Sequence, residues 1–284
     1  MSYWKVIAGV ALALALSGCV GWQGAKLLFA GDTIELQDVP DTAARETDAP
    51  DILFLAMDGV DRDLLYDMLR NGELPELARL LGGSNGDFSH AWFDDNLQST
   101  LPSSTGVAWA SAMTGVEPAM HGVAGNEYFI RDTGQFAAPV PGTVNKISPI
   151  LRIYTEGYAN KLLRAPTVYE RMREREPGIR IGVAMHQYYA GADELILTDR
   201  SALAEGFRTF ASAETFDRLT NEQSLSVFSD VDEEVFENIT ETIDEHSTPD
   251  VLTVYVPGID HFAHISDLGP DKARRLYLKE AQSP

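Results

Sequence analysis

Two short, almost wholly apolar runs set the frame for this chain: Ile52-Leu53-Phe54-Leu55-Ala56-Met57 and Val251-Leu252-Thr253-Val254-Tyr255-Val256. Runs that are apolar on both faces suit strands of a parallel sheet covered on both sides. The first runs directly into Asp58-Gly59, and the second into Pro257-Gly258-Ile259-Asp260. A third such run spans Ile179 to Met185. After the first, Asp61 to Leu81 places Leu64, Leu65, Met68 and Leu69 at helical spacing, and Pro75 opens a second short helix. Strands alternating with helical patterns predict a doubly wound α/β sheet. In such sheets functional groups collect just past the carboxyl ends of strands, where Asp58 and Asp260 both sit.

With 284 residues and 44% hydrophobic content, the chain can form one sizeable domain plus a short accessory segment. Its 43 acidic residues against 22 basic ones give a formal net charge of -21. That balance argues against nonspecific binding of a nucleic-acid polymer, which depends on Lys and Arg neutralising phosphates. A small phosphate ester is still compatible, because bound cations can invert the field of an acidic pocket. The densest acidic stretch, Asp230 to Glu245, carries Val235, Ile239 and Ile243 four apart. This spacing predicts a helix with one apolar face and the acids on its solvated side.

At the N-terminus, Lys5 precedes an apolar stretch from Val6 to Leu16 and then Leu16-Ser17-Gly18-Cys19. A short charged start, a brief apolar region and small residues before a cut describe a secretory signal. Leu-Ser-Gly-Cys also resembles the bacterial lipobox, in which the thiol is acylated and becomes the mature N-terminus. The apolar run falls short of the ~20 residues a membrane span needs. Residues 1–19 are therefore expected to be a lipoprotein signal peptide, with Cys19 as the lipidation site. An uncleaved signal anchor is the alternative. Residues 20–50, with little periodicity, read as a tether, and 51–284 as the catalytic domain. Either anchor puts that domain outside the cytoplasm, on a membrane. With Cys19 the sole cysteine, no intrachain disulfide is possible.

Two further segments carry candidate chemistry. In Leu101-Pro102-Ser103-Ser104-Thr105-Gly106, an extended segment ends and a helix can run on to Thr114-Gly115. Thr105 is expected at its N-cap, where free amides and the positive dipole end favour an anion. A hydroxyl there can attack phosphorus if a metal lowers its pKa, as zinc lowers that of water from about 15.7 to about 7. Ser and Thr are also ordinary helix caps, which is the plainer reading of this segment alone. In Asp260-His261-Phe262-Ala263-His264, Asp260 and His264 lie on one face of a helical turn and can share a cation, while His261 points elsewhere. His121 reads as structural, and Trp109 and Met113 as core residues. His90, His186 and His246 have no partner that the sequence identifies.

Taken in order, these segments resemble the type I phosphodiesterase and nucleotide pyrophosphatase family of the alkaline phosphatase superfamily. The likeness runs from Asp51 to Pro270. It includes Met57-Asp58-Gly59-Val60, Leu74 to Leu80, Pro102 through Gly122, Gly125-Asn126-Glu127-Tyr128 and Val254 to His264. The resemblance implies an alkaline-phosphatase-like fold and two divalent metal ions, zinc in the first place, although carboxylate and imidazole ligands accept manganese as well. It implies Thr105 as nucleophile and metal ligand, Asp58 as a ligand beside it, and Asp260 and His264 as ligands of the second ion. Asn126 would hold a phosphoryl oxygen. The expected activity is hydrolysis of phosphodiester or pyrophosphate bonds in nucleotides or related esters, through a phospho-threonine intermediate. A phosphomonoesterase or phosphonate hydrolase of the same superfamily is a related reading. A sulfatase is not, since no Cys or Ser occurs in a Cys/Ser-x-Pro-x-Arg pattern.

The match is incomplete at its C-terminal end. Relatives carry a further strand ending in adjacent Asp and His, and later another His, whereas the only Asp-His dipeptide here is Asp260-His261. The spacing from His264 to Gly269-Pro270 is also longer than the usual one. The chain is thus expected to be a C-terminally truncated member, or else a degenerate, non-catalytic homologue acting as a membrane-tethered binding module. In either case zinc should be held poorly and a sheet edge left bare.

Overall fold

A computed structural model describes residues 33–36, 49–82, 88, 91–140, 147–198 and 220–281, with backbone only at 147–151. The signal segment, Cys19, most of the tether and His90 lie outside the described residues. In chain order the elements begin β1 (Thr33–Glu35), β2 (Ile52–Met57), α1 (Arg62–Arg70), α2 (Pro75–Leu80), α3 (Thr105–Thr114) and α4 (Pro118–His121). There follow β3 (Tyr128–Ile130), β4 (Gln135–Ala137), α5 (Ile147–Glu156), α6 (Val168–Arg175), β5 (Ile181–Ala184) and β6 (Glu194–Ile196). The last are α7 (Asn221–His246), β7 (Val251–Val256), α8 (Gly258–Ile265) and α9 (Pro270–Glu280). Five strands form one sheet in the order β1-β6-β5-β7-β2, and β3 with β4 forms a separate hairpin. The alternation of strands with helices and the mostly parallel sheet agree with the α/β class read from the sequence.

Two compact units divide the chain: 1–52, 99–197 and 242–252 in the first, and 53–98, 198–241 and 253–284 in the second. In the first, β5 pairs parallel with β6 in the register Gly182↔Glu194, and all four of its residues are buried. β1 pairs antiparallel with β6, so three residues within the expected tether are strand instead. Helix α3 is nearly uniformly apolar, and Gly106, Val107, Ala110, Met113 and Thr114 are buried. It ends where Gly115 takes φ 68°, a left-handed turn that glycine enters without steric cost. Tyr188 Oη donates to the Gly106 carbonyl at 2.8 Å, and Trp109 meets the His186 ring edge-on at 5.4 Å.

Burial pushes the His186 imidazole down to about 4. An unfolded chain takes up that proton near the ordinary histidine value of about 6.5, so below it the unfolded state binds more protons. Stability carried by neutral His186 is thus complete above about 6.5 and is lost as pH falls toward 4. Between pH 7 and pH 5 the parental chain should lose about 2 kcal/mol relative to His186→Gln, at about 1.4 kcal/mol per pH unit. Urea unfolding of both proteins at the two pH values measures this. Parallel pH dependences would remove His186 as the source.

In the second unit, α1 starts at Asp61, whose carboxylate accepts from Leu64 N at 2.9 Å, and α2 starts with Pro75 at its first turn. Met68, Leu74, Phe228, Phe262 and Tyr277 are central to the core. Lys279 Nζ reaches Glu73 at 2.7 Å, and Arg275 pairs with the same carboxylate. The start of β2 belongs to the first unit, where Ile52 N donates to Asp250 O, and its end to the second, where Asp58 N donates to Val256 O, both at 3.1 Å. Both partners advance by the same number of residues, so β2 and β7 run parallel.

The two strands differ in burial. Val251 to Tyr255 are buried, as expected, whereas Ile52, Leu53 and Phe54 are 46%, 46% and 41% exposed. The expectation that β2 is covered on both faces does not hold at its start: successive residues point to opposite faces, so both faces are open there, and among the described residues β2 ends the strand order. Helix α7 follows its expected pattern at Val235 and Ile239, which are buried. Asp232 departs from it: this acid, read as solvated, is only 7% exposed.

Candidate active site

In the second unit, β2 ends at Met57 and delivers Asp58 at its carboxyl end. Both carboxylate oxygens of Asp58 are held: Gly59 N donates to Oδ1 at 2.9 Å and Tyr255 Oη donates to Oδ2 at 2.6 Å. Gly59 has φ 70°, and a Cβ on it would lie 2.6 Å from Asp260 Cα and 2.9 Å from Asp260 Oδ1. Only glycine lets the Asp58 turn approach Asp260 so closely. Asp260 is the third residue of α8, and His264, one turn later, places Nε2 3.5 Å from Asp260 Oδ1. These two share a helical face, as the spacing predicted. His264 is open to solvent, with its side chain 70% exposed. Burial raises the Asp260 carboxyl above the ordinary range, and the charge of Asp58 raises it further, against His264 and Arg274. His261 turns its ring toward Phe228, 5.4 Å away, yet it feels the charges of Asp58 and His264; burial, the largest effect, pushes it down to about 4.

Two carboxylates brought together repel, and a proton or a cation relieves the repulsion. Carboxylate oxygens with an imidazole nitrogen are donors that zinc and manganese both accept. The chemistry of Asp58, Asp260 and His264 therefore fits a divalent cation. The set is partial, since among the described residues no three His, Cys, Asp or Glu side chains close on one point.

In the first unit, Thr105 is the first residue of α3 and not its N-cap. The chain is still extended at Ser104 (φ -102°, ψ 153°), and the Ser104 carbonyl accepts from Val107 N at 3.0 Å and Ala108 N at 2.9 Å. The cap position is thus one residue earlier than expected. Ser104 makes no side-chain cap, and its buried Oγ has no hydrogen-bond partner among the described residues. An amide from further along the chain serves the helix instead: Asn126 Oδ1 accepts from Gly106 N at 2.7 Å. A Cβ on Gly106 would lie 3.2 Å from that oxygen. The bond brings Asn126 beside Thr105 and leaves the Asn126 NH2 group as its donor. It also occupies the Gly106 amide, one of the amides expected to be free for a phosphoryl oxygen.

His121 is structural, as read. Its Nδ1 accepts from Val123 N at 3.2 Å, which puts the proton on Nε2, 3.0 Å from Ser111 Oγ. Burial lowers the pKa of the ring. Met113 is buried core, as expected. The residue that sequence reasoning missed is Tyr255. A tyrosine inside an apolar strand reads as core, and its bond to Asp58 spans 197 positions.

A family model described as type I phosphodiesterase / nucleotide pyrophosphatase matches residues 52–280. No curated protein matches the chain. Among solved structures, 13 chains match. One is phosphonoacetate hydrolase from Sinorhizobium meliloti 1021 in complex with phosphonoacetate, at 17% identity and a TM-score of 0.39. That match covers 88% of this chain and 57% of the other. The same hydrolase in complex with phosphonoformate matches at 19% identity and a TM-score of 0.39, covering 88% and 56%. The chain thus spans little more than half the length of these structures.

Proposed function

The chain belongs to the type I phosphodiesterase / nucleotide pyrophosphatase family, and on that premise we propose that it hydrolyses phosphodiester or pyrophosphate bonds with Thr105 as nucleophile. Nucleotides and related small phosphate esters are the substrate class. The observation that carries this reading is the placement of Thr105 at the first position of α3, with Asn126 bonded to the next amide.

Thr105 Oγ1 attacks phosphorus and displaces the alcohol or phosphate leaving group, forming a phospho-threonine that water then hydrolyses. The N-terminal end of α3 favours the negative charge that gathers on the phosphoryl oxygens. The Asn126 NH2 group donates to one of those oxygens. Asp58, Asp260 and His264 contribute to holding divalent cations, zinc or manganese. Such cations would supply Lewis acidity, which lowers the pKa of a hydroxyl and offsets developing charge. Tyr255 and Gly59 N orient the Asp58 carboxylate for that task. The Leu16-Ser17-Gly18-Cys19 sequence supports a lipid anchor at Cys19 and a location on the outer side of a membrane.

The partial donor set favours a second reading, a tethered module that binds a phosphate ester without turning it over. Turnover of bis(p-nitrophenyl) phosphate separates the two. It should vanish on chelation, return with zinc or manganese, and fall at least about a hundredfold in Asp260→Ala, since cation chemistry supplies several kcal/mol. Turnover indifferent to chelation would sink the catalytic reading. Nucleotide binding in equilibrium dialysis with no turnover under any cation would favour the module.

A further inference from the structure

A buried acid in the second unit has no part in the chemistry described so far. Asp232 on α7 accepts from Tyr277 Oη of α9 at 2.7 Å through Oδ2, and from Gly258 N, the first amide of α8, at 3.4 Å through Oδ1. Helix starts leave amides without partners, and Pro257, at the N-cap of α8, provides no side-chain bond. Asp232 thus does for α8 what a cap does, from 26 positions earlier in the chain. Contact at this point is tight: a Cβ on Gly258 would lie 1.8 Å from Tyr277 Oη and 2.5 Å from Asp232 Oδ2. One turn on, Phe262 meets the Tyr277 ring at 6.0 Å.

Helical geometry gives this grip its meaning. Gly258 and Phe262 are four residues apart and share a face, as do Asp260 and His264. The second pair is offset by two residues, about 200° around the axis, so the gripped face lies opposite the one bearing the ligands. A slipped or rotated helix start would carry Asp260 and His264 with it. We propose that Asp232 and Tyr277 are positioning residues, which fix the start of α8 and so hold Asp260 and His264 in place for a cation. This rests on the assignment of those two side chains as ligands. An unpaired acid in a core is costly, and burial pushes the Asp232 carboxyl up to about 7 while the bonds from Tyr277 and Gly258 pull it down. A core serving stability alone would be as well filled by an apolar side chain.

The test is zinc titration by calorimetry, with amide hydrogen exchange of the zinc-free protein, on the parental chain, Asp232→Asn, Tyr277→Phe and Asp260→Ala. The first two variants should bind zinc about tenfold to a hundredfold more weakly, the range for residues that orient ligands. Their exchange should quicken in α8 and not in α1, a pattern that general loosening would not produce. Parental zinc affinity in both, with affinity lost in Asp260→Ala, overturns the proposal. If the parental chain binds no zinc, or Asp260→Ala binds it as the parent does, the ligand assignment fails instead. The grip is then decided by exchange, and unchanged protection of α8 in both variants refutes it. Should Asp232→Asn not fold, Tyr277→Phe alone carries these comparisons.

Discussion

Thr105→Ala is expected to leave turnover of a chromogenic phosphodiester at least about a thousandfold below that of the parental chain. Removing the nucleophile from a set of groups that act as a unit removes nearly all that the set contributes. Thr105→Ser, which keeps the hydroxyl, should retain measurable turnover. The comparison is clean because the Thr105 side chain does not cap α3, a service that Asn126 Oδ1 performs at Gly106 N. Unfolding free energy should therefore change by less than about 1 kcal/mol, the usual value of a cap. Initial rates with bis(p-nitrophenyl) phosphate, beside a urea curve for each variant, measure both. A parental rate in Thr105→Ala would remove Thr105 from its role.

Gly258→Val is expected to lower the unfolding free energy by about 3 kcal/mol, the upper end of ordinary overpacking costs. The new Cβ would enter the space of Tyr277 Oη and Asp232 Oδ2, neither of which can retreat from its partner in a filled core. Removing that hydroxyl tests the cause. The double variant Gly258→Val with Tyr277→Phe should be less destabilised than the sum of the singles, since neighbours in contact do not add. Strict additivity, or a loss below about 0.5 kcal/mol in Gly258→Val, would mean the helix start is not pressed on this pair.

How much of this was legible beforehand follows the range of the interactions. Asp58 and Asp260 past strand ends, the Asp260–His264 face, the helix from Thr105 to Thr114 and the apolar face of α7 are set by local periodicity, and the structure has them as read. The cap of α3 was misplaced by one residue because the acceptor that serves the helix start is Asn126, 20 positions away. Asp232 lies among acids and was read as solvated. Its burial depends on Gly258 and Tyr277, which nothing nearby in the chain announces. Tyr255 passed as core because its hydroxyl finds Asp58 only after the strands are paired. Exposure of β2 escaped the pattern for the same kind of reason, since a run of apolar residues does not state what covers its faces or, among the described residues, its outermost rank in the sheet.

That outermost position has a colloidal consequence. Ile52, Leu53 and Phe54 offer an apolar seam along a strand whose far side, among the described residues, meets no other strand. A seam of this kind is a template for cross-chain ladders. A net charge of -21 holds like molecules apart only over the reach of its field, about 10 Å at 0.1 M salt and less above that. Raising the ionic strength would then favour molecules joining through that strand.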